Sequence, residues 1–374
     1  MNRQSLRLAA ITLTATILFP ANLSRADSSR DAQWHRKYLR IESAHEIAQG
    51  NGVTVAVPDS GVDPHPDLRN NLMPGVDIIP GGDGDGRRDQ DGHGTGMAGL
   101  IAAHGRGGHE GVQGIAPQAK ILPIYVSPAH QDGDPEALAK GVDYAVARHV
   151  EVISISATGG ADARLQRAVR AAISANIVVV AGAGNTSNSS LVGYPASEPD
   201  VIAVGGIDRN GNHAAISVTG PQIDVVAPAV DVYSTSINGG YRVGTGTSDA
   251  TAIVAGAAAL IRSKYPDLPA EEVAHRLTAT AIDKGPPGRD DEYGYGVIDL
   301  VAALTADVPP LGFESSAVTP PASGKALPED GDAGDDGAAV RGLATLGVLV
   351  AAGGGYLVWR RRRRADDPPP RISR

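Results

Sequence analysis

Residues 53–57 read Val-Thr-Val-Ala-Val and run straight into Pro58-Asp59-Ser60-Gly61. A short β-branched run halted at once by Pro, Asp and Gly predicts a strand buried on both faces that ends in a turn. Three more runs have the same character: Ile-Leu-Pro-Ile-Tyr-Val at 121–126, Val-Ile-Ser-Ile-Ser at 152–156 and Ile-Val-Val-Val at 177–180. Between the second and third, Leu138, Val142 and Val146 recur at helical spacing within 135–150. Between the third and fourth, Leu165, Val169 and Ile173 repeat that spacing after Ala161. Strands alternating with helices require right-handed crossovers, so the expected fold is α/β, a doubly wound, mostly parallel sheet with helices on both faces. In such sheets chemistry collects at the carboxyl ends of the strands, which directs attention to the residues just past each run.

The 374-residue chain is 42% hydrophobic and 20% charged, the composition of a largely globular protein. It has no cysteine, which excludes disulfides, thiolate catalysis, zinc ribbons and iron–sulfur clusters. Aromatic residues make up only 4%, leaving little material for a base-stacking surface. The net charge is −9, and residues 341–374 carry eight Arg against two Asp, so the remainder is more acidic still. That distribution excludes nucleic acid as the main partner.

Both ends carry targeting patterns. Residues 1–26 combine a basic start, an apolar stretch at 8–19 and Ser24-Arg25-Ala26, and read as a secretory signal peptide. A short N-terminal extension occupies 27–50 and the folded head 51–306. Residues 307–339 turn to Pro, Gly, Ala, Ser and Asp without apolar period and read as a linker. The charge-free run 342–359 spans about 27 Å as a helix, close to a bilayer's hydrocarbon thickness, and defines a transmembrane helix at 340–359. Five arginines, 360–364, follow, so the tail 360–374 is expected in the cytoplasm and the head outside, on a single-pass cell-membrane protein. An alternative for this end is Leu327-Pro328-Glu329-Asp330-Gly331, which resembles the Leu-Pro-x-Thr-Gly sorting signal with Asp330 in the Thr position.

Three segments carry potential chemistry. Asp59 sits at a strand end, His93 opens a small-residue helix in Asp91-Gly92-His93-Gly94-Thr95-Gly96, and Ser248 follows Gly244-Thr245-Gly246-Thr247 at the start of an alanine-rich helix. Taken singly, these are a turn aspartate, a structural histidine and a capping serine. Taken in the order Asp, His, Ser, they resemble the subtilisin-like serine peptidases. Asp59-Ser60-Gly61, Gly92-His93-Gly94-Thr95 and Gly246-Thr247-Ser248 match that family's three catalytic boxes, and residues 178–185, ending in Asn185, match its oxyanion box. The layout with a membrane anchor looks most like the mycosins of actinobacterial type VII secretion.

The resemblance implies a triad of Asp59, His93 and Ser248, with Asn185 and the Ser248 N–H as oxyanion donors. It aligns 154–160 with the family's substrate-binding edge, implicating Ser156, Ala157 and Thr158 in holding an extended peptide. It also implies a protein or peptide substrate, a type VII-like secretion complex as partner and no cofactor. The alternative from another class is a subtilisin-fold scaffold that stabilises such a complex. Several residues depart from the family: Pro58 removes a ladder donor beside Asp59, Asp249 puts a charge beside the developing oxyanion, Ala252 stands for a proline, and Ala157 and Thr158 stand for Leu and Gly. Asp83, Asp85, Asp89 and Asp91 are expected as a solvated acidic loop, with a structural calcium site as the alternative. The short stretch between Ala26 and Gly50 does not indicate a folding pro-domain, and Trp34, Tyr38 and Leu39 are candidates to pack on the head.

Overall fold

The structure, a computed structural model, describes residues 27–312 except 82, 108–109 and 129–133. All of these fall in the first of two units, residues 1–315; the second is 316–374. The expected signal peptide, the linker beyond 312, the transmembrane helix at 340–359 and the tail 360–374 lie outside the described residues. Among the described residues no helix is long and apolar enough to cross a membrane.

In chain order the elements are α1 (Asp27–Asp31), α2 (Trp34–Tyr38), α3 (Ile41–His45), β1 (Thr54–Asp59), β2 (Val76–Asp77), α4 (His93–Ala102), β3 (Lys120–Tyr125), α5 (Pro135–Ala147) and β4 (Val152–Ile155). There follow α6 (Ala163–Ser174), β5 (Val178–Gly182), β6 (Ile202–Ile207), β7 (Val225–Pro228), β8 (Val232–Thr235), β9 (Tyr241–Gly244), α7 (Thr247–Lys264), α8 (Ala270–Ala279) and α9 (Leu300–Thr305). Seven strands form one sheet in the order β2-β3-β1-β4-β5-β6-β7, with every pairing parallel. Strands β8 and β9 form a separate antiparallel hairpin.

The two faces of the sheet follow from side-chain alternation along each strand. Val55, Val57, Ile121, Val152, Val178 and Val180 pack into one core with α4 and α7. Ala56, Leu122, Ile124, Ile153, Ile155, Val179 and Ala181 point the other way, against α5 and α6. The sheet is therefore covered on both sides, and that is why its strands are continuous apolar runs rather than alternating ones. Helix α7 is buried around nearly its whole circumference, from Ala250 to Ile261. It crosses under the sheet centre, where Ile253→Ala would cost about 2–5 kcal/mol through the cavity it leaves.

Strands β6 and β7 and the β8–β9 hairpin are absent from the sequence reading. Gly205, Gly206 and Pro228 dilute the apolar signal in β6 and β7, and each hairpin strand has only four residues. The N-terminal extension lies on the head: the Trp34 indole donates to the carbonyls of Val230 and Asp231, both at 3.1 Å, and Leu39 is buried.

Candidate active site

The strand order brings the functional segments to one end of the sheet. Asp59 is the last residue of β1, Ser156, Ala157 and Thr158 follow β4, Asn185 follows β5, His93 begins α4, and Ser248 lies in the first turn of α7. All of them line a single cleft of about 330 Å³.

Asp59 is buried, and both of its carboxylate oxygens reach Nδ1 of His93, Oδ1 at 2.8 Å and Oδ2 at 3.0 Å. Oδ1 also accepts the Ser60 N–H at 2.7 Å. Burial alone would raise the Asp59 carboxyl, but the imidazole's charge, its hydrogen bond and the Ser60 N–H outweigh it and hold the carboxyl low. Burial likewise pulls the imidazole down, and the Asp59 charge and hydrogen bond reverse this, raising His93 above the ordinary imidazole value. Helix α4 can bring His93 this close because its second residue has no side chain: a Cβ on Gly94 would lie 2.1 Å from the Gly61 carbonyl oxygen and 3.1 Å from the Asp59 Cβ.

Pro58 does not disturb this arrangement, for a reason visible in the ladder. Odd-numbered residues of β1 face β3: the Val53 carbonyl accepts from Lys120 N–H and that of Asp59 from Val126 N–H. Even-numbered ones face β4, as the Thr54 carbonyl does in accepting from Glu151 N–H. The pairing with β4 ends at Ala56, so the donor missing at Pro58 lies on the β4 side beyond the paired stretch, while the β3 side stays paired through Asp59.

The Ser248 hydroxyl donates to the Ser156 carbonyl at 3.1 Å and makes no hydrogen bond to His93. Among the described residues the Ser248 backbone N–H, in the first turn of α7, has no acceptor. The Asn185 Oδ1 accepts from the Thr247 N–H at 3.0 Å and from its hydroxyl at 3.3 Å, which fixes the amide beside Ser248 and leaves Nδ2 without a partner among the described residues. These two N–H donors thus share the cleft with the Ser248 hydroxyl at the positive end of an 18-residue helix.

Among the described residues Ala157 and Thr158 make no backbone hydrogen bonds, whereas the next residue, Gly159, is bridged to Tyr194 in both directions, at 3.0 and 2.9 Å. The result is a short unpaired edge along the cleft, anchored at its far end.

Asp249 is buried behind the nucleophile position. Burial pushes its carboxyl up to about 6, against the opposing pull of Arg242, whose Nη1 lies 3.4 Å from Oδ1, and of His93. Above about pH 6 its charge is therefore offset by Arg242 and His93 rather than by solvent.

The acidic stretch is not uniform. Asp83, Asp85 and Asp91 are exposed or half-exposed, but Asp89 is buried, and its carboxylate is saturated with hydrogen bonds from the protein. Expecting all four as a solvated loop overlooked this residue. The only signal in the sequence was its place four residues before His93. Among the described residues no group of three or more His, Asp or Glu is placed to hold a metal ion.

Comparison with known proteins agrees with this geometry. The subtilase family model matches residues 50–296. The chain is 36% identical over 277 residues to Subtilisin Savinase of Lederbergia lenta, covering 74% of this chain and 99% of that one. It is 31% identical over 275 residues to the minor extracellular protease Epr of Bacillus subtilis, 73% of this chain but only 42% of that longer protein. Among solved structures it resembles a serine protease MycP1, an essential component of the type VII (ESX-1) secretion system, with 33% identity and a TM-score of 0.66 over 77% of this chain and 91% of that one. A family match over most of the chain, together with relatives above 30% identity, establishes that the chain belongs to the subtilase family of serine endopeptidases.

Proposed function

We propose that this protein hydrolyses peptide bonds through an acyl-enzyme formed on Ser248, with His93 as general base and acid and Asp59 as its orienting carboxylate. The observation that carries this reading is the two-oxygen grip of Asp59 on Nδ1 of His93, in the same cleft as Ser248. Holding the proton on Nδ1 presents an unprotonated Nε2 to the nucleophile and stabilises the imidazolium that forms during attack. Rotation about χ1 takes the Ser248 hydroxyl off the Ser156 carbonyl and toward that nitrogen; such bonds are often unmade before substrate arrives. The free N–H of Ser248 and the Asn185 Nδ2 are the donors for the oxygen that gains charge in the tetrahedral intermediate. His93 then returns its proton to the departing amine, and water repeats the sequence on the acyl-enzyme.

The unpaired backbone at Ala157 and Thr158 suits an extended peptide, which would add as a strand along Ser156, Ala157 and Thr158. The substrate is accordingly a protein segment unfolded around its scissile bond. The signal-like 1–26 and the charge-free run at 342–359 support an anchored head outside the membrane with its tail in the cytoplasm. Likeness to MycP1 supports association with a type VII-like secretion system. The test is digestion of a library of internally quenched peptides by the full chain in detergent micelles. Cleavage that disappears in Ser248→Ala supports the reading, and equal cleavage by the variant overturns it.

A scaffold role within the same assembly is favoured by one observation, the buried charge of Asp249 next to the nucleophile, which tends to slow the chemistry. Cells relying on Ser248→Ala would then secrete normally, whereas an enzymatic role predicts that secretion or its product processing fails.

A further inference from the structure

The proposed mechanism, on which this inference rests, needs Asp59 and His93 in fixed register although they come from different elements 34 positions apart. We propose that Asp89 is the positioning residue that sets this register, its buried carboxylate tying the turn after β1 to the first turn of α4. Oδ1 accepts from the Ser60 hydroxyl, the Asp91 N–H and the Gly92 N–H, each at 2.9 Å. Oδ2 accepts from the Thr95 N–H at 2.9 Å and the Thr95 hydroxyl at 2.6 Å. One carboxylate therefore receives five donors, and they belong to the residue that follows Asp59 and to residues on either side of His93.

The tie continues through both hydroxyls. Ser60 Oγ, while donating to Asp89, accepts the Gly94 N–H at 3.0 Å, and the Ser60 N–H donates to Asp59 Oδ1 at 2.7 Å. Thr95 Oγ1, while donating to Asp89, accepts the Asp63 N–H at 2.8 Å. From Asp59 the path runs through Ser60 to Asp89 and on to Gly92, with a branch from Ser60 to Gly94, so both residues flanking His93 are fixed. A carboxylate suits this place because it only accepts and because negative charge is favoured at the start of α4. An amide cannot replace it: with one oxygen and one NH2, Asn at 89 must turn a donor toward either the Ser60, Asp91 and Gly92 set or the Thr95 pair.

The test measures phosphonylation of the full chain by a fluorophosphonate probe, as a function of pH and probe concentration, in Asp89→Asn, Ser60→Ala and Ser60→Thr. The low-field proton signal of His93 Nδ1–H is recorded alongside, since it reports the Asp59 contact without requiring catalysis. Misplacing a catalytic group by a fraction of an ångström to an ångström costs on the order of 10²-fold. Asp89→Asn is expected to lose rate on that order at saturating probe with little change in half-saturation. Its acid limb should move toward the ordinary imidazole value and its low-field signal weaken. Ser60→Ala should lose about tenfold in the same direction, and Ser60→Thr, which keeps the hydroxyl, should recover it. Folded Asp89→Asn and Ser60→Ala proteins that keep the wild-type rate, limb and signal overturn the inference; should Asp89→Asn not fold, Ser60→Ala decides. A wild-type protein that is not phosphonylated overturns the peptidase reading instead, and the proton signal then tests the register by itself.

Discussion

Replacing Asp59 by Asn gives the sharpest view of how the site works, because the structure dictates which way the amide must turn. The Ser60 N–H donates to Oδ1 at 2.7 Å, so the amide oxygen stays there and the NH2 takes the place of Oδ2, 3.0 Å from Nδ1 of His93. That NH2 can donate to Nδ1, in competition with the amide oxygen that still lies 2.8 Å from it, and whenever it does the imidazole proton moves to Nε2, where it blocks removal of the Ser248 proton. The imidazolium formed during attack also loses a carboxylate partner, worth about 4 kcal/mol at an effective dielectric constant near 20. That is about three decades of rate, and with the wrong tautomer the loss should reach roughly 10³–10⁴-fold. The assay is the second-order rate of phosphonylation by a fluorophosphonate, with p-nitrophenyl acetate hydrolysis as a second readout and a thermal melt as the folding control. A folded Asp59→Asn protein within tenfold of wild type would refute the assignment of Asp59 as the orienting carboxylate.

Three further predictions address neighbouring features. Asn185→Ala should lower turnover of a cleaved peptide by about 10²–10³-fold with little change in KM, measured by steady-state kinetics, because it removes a donor used only once charge has developed. Asp249→Asn should shift the acid limb of the kcat/KM profile to lower pH. The Asp249 charge helps to raise His93, and the base must be neutral to act. The same substitution should flatten stability against pH: the folded carboxyl stands at about 6 against 3.8 in the unfolded chain, so wild type is steadied below about 4 and loses at most about 3 kcal/mol as pH rises through 6. Denaturant midpoints across that range check it, and parallel curves for the two proteins would count against a buried, titrating Asp249. Gly244→Ala should lower the melting temperature and the phosphonylation rate together, since a Cβ there would lie 2.5 Å from both Asp249 oxygens and 2.8 Å from Arg242 Nη2. A melt unchanged from wild type would show that the Arg242–Asp249 pair yields without cost.

The sheet was legible where strands are buried on both faces, because β-branched runs such as 53–57 and 177–180 have no other economical reading. Helix α7 was legible for the related reason that it is apolar all round. The edge of the sheet was not: β7 has four residues ending in Pro228, and two-residue β2 leaves no periodic trace. The cleft residues Asp59, His93, Asn185 and Ser248 could be picked out because four motifs in order constrain one another, while each alone reads as a turn or cap. What the sequence concealed was the contrast among the four acidic residues before His93. Asp89 differs from Asp83 and Asp85 only in the three-dimensional placement of Ser60 and Thr95, and neither spacing nor composition encodes that. Pro58 shows the reverse case, a residue that breaks a strand rule on the side of β1 whose pairing ends at Ala56.

The central claim, an activated serine at position 248, is tested most directly by treating the full chain with a fluorophosphonate and locating the adduct by peptide mass spectrometry. A single phosphonylated residue, Ser248, is expected, with the adduct lost in His93→Ala and in Ser248→Ala. A folded protein that forms no adduct, or one whose adduct persists without His93, would contradict it.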